Sequence, residues 1–269
     1  MNGSNQAKVI AFANQKGGVG KTTTVANTGV VFAKNGHKML LVDFDPQANL
    51  TAGFGINSDI LHSTIGTLLE SHVRGHKLQE DITQYCIPTR EGVDILPCDI
   101  GLADTELLLH GAMGREIQLK PIIDQLRPHY DYIFIDCQPT MASLTTNALV
   151  ASDGVVIPSE PAFFSAKGVQ GLYAHIQRTK MLFNKNLKIY GLLITKANIQ
   201  SRNVREMIKD INEAYQDEIP LFQSFIPRSI RVQESNNNGE SIVNFEQKNK
   251  VAQAYYTFAD ELERVVHEK

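Results

Sequence analysis

The chain has 269 residues, 42% of them apolar and 20% charged, with a formal net charge of −3. That balance fits a globular protein with a sizeable core and excludes a disordered or fibrous chain. It also excludes a uniformly basic surface, so any contact with nucleic acid has to be a local patch. Cys86, Cys98 and Cys137 lie far apart with no C-x-x-C pair, which argues against a zinc site or a disulfide framework. No apolar run reaches the roughly 18–20 residues that cross a bilayer. We expect a short flexible N-terminus over residues 1–7, a single domain over 8–269, and a cytoplasmic location.

Lys8 to Ala13 (K-V-I-A-F-A) reads as a short buried strand, and Thr22 to Asn35 as a helix closed by Gly36. Between them runs A-F-A-N-Q-K-G-G-V-G-K-T-T-T, Ala11 to Thr24. Gly17, Gly18 and Gly20 let the backbone turn tightly with its N–H groups inward, and the helix adds its positive end. Such a junction holds phosphate, with Lys21 reaching the outer phosphates and the Thr22 hydroxyl available to Mg²⁺. The pattern G-x-x-x-x-G-K-[ST] is not met strictly: Gln15 stands where its first glycine would be, and an extra lysine, Lys16, follows.

Lys38 to Asp43 (K-M-L-L-V-D) is a second strand, and the β-α-β order predicts a parallel sheet with helices on its faces. It leads into Asp43-Phe44-Asp45-Pro46-Gln47. Ligands of such sheets bind at the carboxyl ends of the strands, which places Asp45 beside the phosphate loop; the plainer alternative is that Asp45 only starts a turn before Pro46. A helix is expected around Ile65 to Ser71, a strand at Val93 to Leu96, and helices over Ala103 to Leu109 and Glu116 to Leu126, the last kinked or restarted at Pro121.

Tyr132 to Asp136 (Y-I-F-I-D) is an apolar run ending in a carboxylate, the form of a strand whose acidic tip contacts Mg²⁺ through water. Val155 to Pro158 is a further strand, leading through Pro161-Ala162-Phe163-Phe164 into a long helix from Ser165 to Phe183. Leu187 to Thr195 is a central strand, in which Tyr190-Gly191 signals a close backbone approach. Between Asn184 and Lys209 basic residues (Lys185, Lys188, Lys196, Arg202, Arg205, Lys209) face a single acid, Glu206. Ser235 to Gly239 (S-N-N-N-G) reads as a polar loop. In the closing stretch, Val251, Ala252, Tyr255, Phe258, Ala259, Leu262, Val265 and Val266 fall on one helical face.

K-G-G-V-G-K-T-T, V-D-F-D-P-Q, the segment after Asp136 with its downstream L-T-T-N-A-L, and I-P-R-S-I-R resemble the ParA/MinD class of deviant phosphate-loop ATPases. The resemblance covers nearly the whole chain and is nearest to the ParA/Soj-type partition ATPases. It implies a doubly wound, mostly parallel α/β sheet flanked by helices, that is, a P-loop NTPase fold. It implies ATP/ADP and Mg²⁺ as cofactors, with nucleotide held by Lys16, Gly17, Gly18, Val19, Gly20, Lys21, Thr22 and Thr23, and with Asn198 and Pro227 approaching the adenine. Thr22, Asp45 and Asp136 are implied at the metal and Lys16, Lys21 and Asp45 in catalysis, Lys16 reaching across a nucleotide-sandwich homodimer and Asp45 positioning the attacking water. Arg202, Arg228 and Arg231 are the implied contacts to non-specific DNA.

The same resemblance implies slow hydrolysis stimulated by a ParB-like centromere-binding protein, and a nucleoid-associated location. The chain departs from the family at Gln138, where a proline is usual, and at Ser235 to Gly239, where Ala-Pro is common. A MinD-like membrane-cycling ATPase is the main alternative; the tail residues Asp260, Glu261, Glu263 and Glu268 would be repelled by anionic lipid. A metal-cluster carrier needs paired cysteines at a dimer interface, and a tyrosine kinase on the same loop usually has a tyrosine-rich tail.

Overall fold

The computed structural model describes residues 6–161, 166–198, 201–215 and 218–268. In chain order the elements are β1 (Lys8–Phe12), α1 (Lys21–Lys34), β2 (Met39–Phe44), α2 (Asn49–Gly53), α3 (Ile65–Val73), β3 (Ile87–Pro88), β4 (Val93–Leu96), α4 (Leu102–Gly111), α5 (Lys120–Leu126) and β5 (Tyr132–Cys137). There follow α6 (Ser143–Ala151), β6 (Gly154–Ser159), α7 (Ala166–Leu182), β7 (Lys188–Ala197), α8 (Arg202–Tyr215), β8 (Leu221–Pro227), α9 (Arg231–Asn237), α10 (Ile242–Phe245) and α11 (Lys250–Glu268).

The strands form one eight-stranded sheet in the order β3-β4-β2-β5-β1-β6-β7-β8. Among the described residues only β3 is antiparallel to its neighbour. The central strands are buried along their whole length, and mostly apolar, because helices cover both faces. Side-chain alternation divides β1 between two cores: Val9 and Ala11 face the layer that includes α3 to α6, and Ile10 and Phe12 face α1 and α11. β1 lies between β5 and β6, and the chain builds one half of the sheet before crossing to the other at this point. The crevice above the carboxyl end of β1 is therefore the expected ligand site of a doubly wound sheet.

Several expectations are corrected in detail. Ala7 does not belong to a loose terminus: it is buried, its N–H donates to the Arg127 carbonyl at 3.2 Å, and its own carbonyl accepts from the Arg127 guanidinium at 2.8 Å. The helix expected from Glu116 begins only at Lys120, with Pro121 in its first turn, where a missing N–H costs nothing. Ser235 to Gly239 is not wholly a loop, because α9 continues through Asn237, where Ser235 is buried and its hydroxyl donates to the Val232 carbonyl at 2.9 Å. The close approach at Gly191 is to the start of β8: an added Cβ would stand 2.9 Å from the Pro220 carbonyl oxygen and from the Phe222 ring. Ala162, Phe163, Phe164 and Ser165 lie outside the described residues.

Candidate functional site

The loop joining β1 to α1 is fixed at several points. Asn14, buried, donates to the Pro158 carbonyl at 2.8 Å and accepts from the Lys16 N–H at 3.0 Å. The Thr195 hydroxyl at the end of β7 donates to the Val19 carbonyl at 2.7 Å. Gly18 and Gly20 have φ of 75° and 85°, a left-handed backbone that a side chain would strain. Gly20 is the N-cap of α1 and brings no side-chain hydrogen bond to the first turn. The first-turn N–H groups of the helix are left for a bound anion.

A cavity of about 550 Å³ opens over this loop, lined by Gly17, Gly18, Gly20, Lys21, Thr22 and Thr23 together with Asp45. Lys21 is 6% exposed, and its ammonium donates to the Lys16 carbonyl at 3.3 Å. Burial lowers its pKa, against the raising influence of Asp136 and Asp45 nearby. Lys16 is exposed and stands outside the lining of this cavity.

Three carboxylates at the ends of β2 and β5 take different roles. Asp43 accepts from the Thr51 N–H at 2.8 Å and from its hydroxyl at 2.7 Å, which ties β2 to α2. Burial nevertheless raises its pKa to about 6. Asp45 faces the cavity while its Oδ1 accepts from the Gln47 N–H at 3.0 Å, so it both shapes a turn and presents a carboxylate to the phosphate loop. Asp136 is fully buried, and neither of its oxygens has a hydrogen-bond partner among the described residues. Burial and the Asp43 charge raise its pKa well above the usual range, opposed by the Thr22 hydroxyl and the Lys21 charge, which stand close without closing a hydrogen bond to it.

An orphaned buried carboxylate beside a threonine hydroxyl and an anion-binding loop is complementary to a divalent cation. Among the described residues no cluster of three or more His, Cys, Asp or Glu could hold a metal by itself. Such a cation would need further oxygens from a phosphate ligand and water, which is how Mg²⁺ is usually held.

Two residues noted above for other reasons, Gln138 and Lys196, adjoin the site. Gln138 is nearly buried and donates to Glu106 of α4 at 2.9 Å, and the same Glu106 oxygen accepts from the Leu144 N–H at 3.3 Å. The segment after Asp136 is thus tied down by a hydrogen bond where a proline would have stiffened it. Lys196 is ion-paired with Glu160 at 2.8 Å, donates to the Gly18 carbonyl, and faces the cavity. A polar Thr195-Lys196 pair closing the apolar run L-L-I was the available signal.

A second cavity of about 600 Å³ adjoins the first, shares Gly17, Gly18, Gly20 and Thr23 with it, and is bounded by Pro227, Arg228 and Ile230. Asn198 is not part of that lining; it borders a separate groove of about 560 Å³ between β8 and α11, which it shares with Pro227. Arg202 is exposed on α8 and paired with Glu206 at 2.8 Å. Arg231 is engaged by Glu234 and by Glu246, the latter at 2.8 Å, and lies over the Phe245 ring. Of these three arginines, Arg228 alone lines the nucleotide-sized space.

Residues 7–189 match the AAA_31 family, described as an AAA domain. The sporulation initiation inhibitor protein Soj of Bacillus subtilis is 34% identical over 255 residues, which cover 95% of this chain and 98% of that protein. The chromosome partitioning protein ParA of Caulobacter vibrioides is 32% identical over 262 residues, covering 96% of this chain and 95% of the relative. A Mycobacterium smegmatis structure, described as a cobyrinic acid a,c-diamide synthase with bound ATP analogue and magnesium, superposes with a TM-score of 0.82 at 33% identity, covering 96% of this chain and 95% of that one.

Proposed function

The chain belongs to the AAA-domain family, among the ParA/Soj-type phosphate-loop ATPases, and from that premise we propose that it is an ATP-driven DNA-partition switch. The observation that carries the nucleotide half of this reading is the unpartnered, fully buried Asp136 beside Thr22 and Lys21 at the uncapped end of α1. In this reading Lys21 and the loop N–H groups hold the β- and γ-phosphates of ATP. Mg²⁺, held through Thr22 and Asp136, would offset the charge that builds on the phosphate oxygens. Asp45 orients the water that attacks the γ-phosphorus, and ADP and phosphate leave.

Lys16, exposed on the loop, supplies its charge to the phosphates of a second copy in a sandwich homodimer. Ile100 and Leu107 are 70% and 66% exposed on and beside α4, the helix that carries Glu106, and supply apolar area for such a contact. The dimer would hold DNA through Arg202, Arg228 and Arg231 without reading its sequence, and a ParB-like protein would time its release by stimulating hydrolysis. A lipid-cycling alternative is disfavoured because the apolar side of α11 is spent on the core, with Val251, Tyr255, Phe258 and Leu262 buried. Among the described residues no helix is long and apolar enough to cross a membrane.

The test is binding of the purified protein to unrelated DNA duplexes with ATP, with ADP and without nucleotide, at two salt concentrations. Binding should require ATP, weaken steeply with salt, ignore sequence, and be lost in Lys21→Ala. DNA binding that is absent or indifferent to nucleotide would overturn the partition reading.

A further inference from the structure

Asp136 is buried with neither carboxylate oxygen bonded among the described residues, although the Thr22 hydroxyl and the Lys21 ammonium stand close enough to act on its charge. On a loose backbone such a group would swing onto the nearest donor, because a buried carboxylate without partners is costly. The end of β5 therefore has to be held. The sheet holds it only as far as Cys137, the last residue of β5 in register with β2. One residue later the chain leaves the ladder and enters the connection to α6.

Gln138 is the first anchor beyond the ladder. Its side chain, 6% exposed, donates to Glu106 Oε1 at 2.9 Å, and the same oxygen accepts the Leu144 N–H in the first turn of α6 at 3.3 Å. One carboxylate oxygen of α4 thus closes both ends of the connection. Glu106 also does the work of a cap for α6, whose N-cap residue, Ala142, brings no side-chain hydrogen bond. Between the two ends Pro139 lines the phosphate cavity, and a β-carbon added to Gly17 would stand 4.0 Å from the proline's own. Neither Gln138 nor Glu106 lines either cavity, so whatever they do to a ligand they do through the segment they hold.

We infer that Gln138 is a positioning residue for Asp136: tied to Glu106, it holds the end of β5 so that the Asp136 carboxylate stays unpaired and open to a divalent cation. The inference rests on the nucleotide reading above and deepens it. It makes a hydrogen bond to α4, outside the ligand space, part of what sets the affinity for Mg²⁺.

The experiment is calorimetric titration with ATP over a series of Mg²⁺ concentrations and, separately, with ATP in chelator. In Gln138→Ala the Mg²⁺ concentration needed for half-maximal ATP binding should rise about tenfold, the low end for removing a partner that stands behind a metal ligand. Affinity without Mg²⁺ should stay within about threefold. Both titrations use the same folded protein, so a general loosening of the fold would weaken them equally. Gln138→Glu sets two carboxylates against each other and should raise the Mg²⁺ requirement at least as far. Adding Glu106→Gln to it restores a donor facing an acceptor and should recover the wild-type requirement. In an Asp136→Asn background Gln138→Ala should change nothing further. An unchanged Mg²⁺ requirement in Gln138→Ala, equal weakening with and without Mg²⁺, or no recovery in the reversed pair would overturn the positioning role and leave the nucleotide site standing. A wild type that binds no ATP at any Mg²⁺ concentration would overturn the nucleotide reading itself.

Discussion

The two ends of the sheet are built on opposite terms. At the amino ends of β1, β5 and β6 the polar groups are matched: the Arg127 guanidinium donates to the Ala7 carbonyl at 2.8 Å, to the Ala151 carbonyl at 3.2 Å and to both Asp153 oxygens. Asp153 in turn accepts from the Val9 N–H at 2.8 Å. Beside them His37 pairs with Glu263 at 2.9 Å, and Tyr132 shares a hydrogen bond with His267 at 3.0 Å. At the carboxyl ends lie the buried Asp136 with neither oxygen satisfied and, among the described residues, both non-glycine left-handed backbones, Ala48 and Lys196. Satisfied polar groups hold a fold together, whereas unsatisfied ones and strained backbone are tolerated where a ligand completes them.

If that contrast is real, mutations at the two ends should separate stability from binding. The largest effect is expected for Arg127→Ala, which strands Asp153 and two carbonyls. A loss of about 3 kcal/mol is the low end for breaking a buried pair, chosen because the Asp153 side chain is 37% exposed. Denaturant melts should show the loss while ATP affinity of the folded fraction stays unchanged. At the other end Asp136→Asn should act in the opposite sense. Removing an unpartnered buried carboxylate should raise the stability of the ligand-free protein by about 1 kcal/mol and abolish the thermal shift produced by Mg-ATP. A fall in ligand-free stability would mean that Asp136 has a partner in solution.

The same contrast explains what could be read from the chain. The phosphate loop is a local motif, compact in sequence, and its helix and strands follow from apolar periodicity. Asp136 was legible as the tip of an apolar strand, since β5 is buried throughout. Thr195 and Lys196 were not, because their partners Val19 and Gly18 lie 176 and 178 positions away and only folding brings them together. The edge strand β8 escaped notice because Gln223 and Ser224 interrupt its apolar run, and their N–H groups are covered by Glu261 of α11 at 2.7 and 2.9 Å. α9 reads as a loop from its serine and asparagines, whose side chains compete with helical hydrogen bonds. Its helix is held by tertiary context, with Arg231 bridging Glu234 and Glu246.

The smallest expected effect belongs to neither end. His175 lies on α7 against α6, its Nε2 3.2 Å from the Thr146 hydroxyl. Burial, helped by the Arg178 charge, lowers its pKa below the ordinary value of 6.5. The unfolded chain therefore takes up the proton first as pH falls. Between 6.5 and the lowered folded value the unfolded state binds more protons, so stability rises with pH in that window and is lost on acidification. Melting temperatures at about pH 7.5 and about pH 5.5 should therefore lie closer together in His175→Asn than in the wild type. Because the Thr146 partner of His175 is not among the partners of Arg127 and does not touch Asp136, the change should move neither the Mg-ATP shift nor the Arg127→Ala loss. A His175→Asn protein with the same acid sensitivity as the wild type would show that His175 does not carry the acid response, and Asp43 and Asp136 could not supply it either, because their raised pKa values favour the folded state as pH falls.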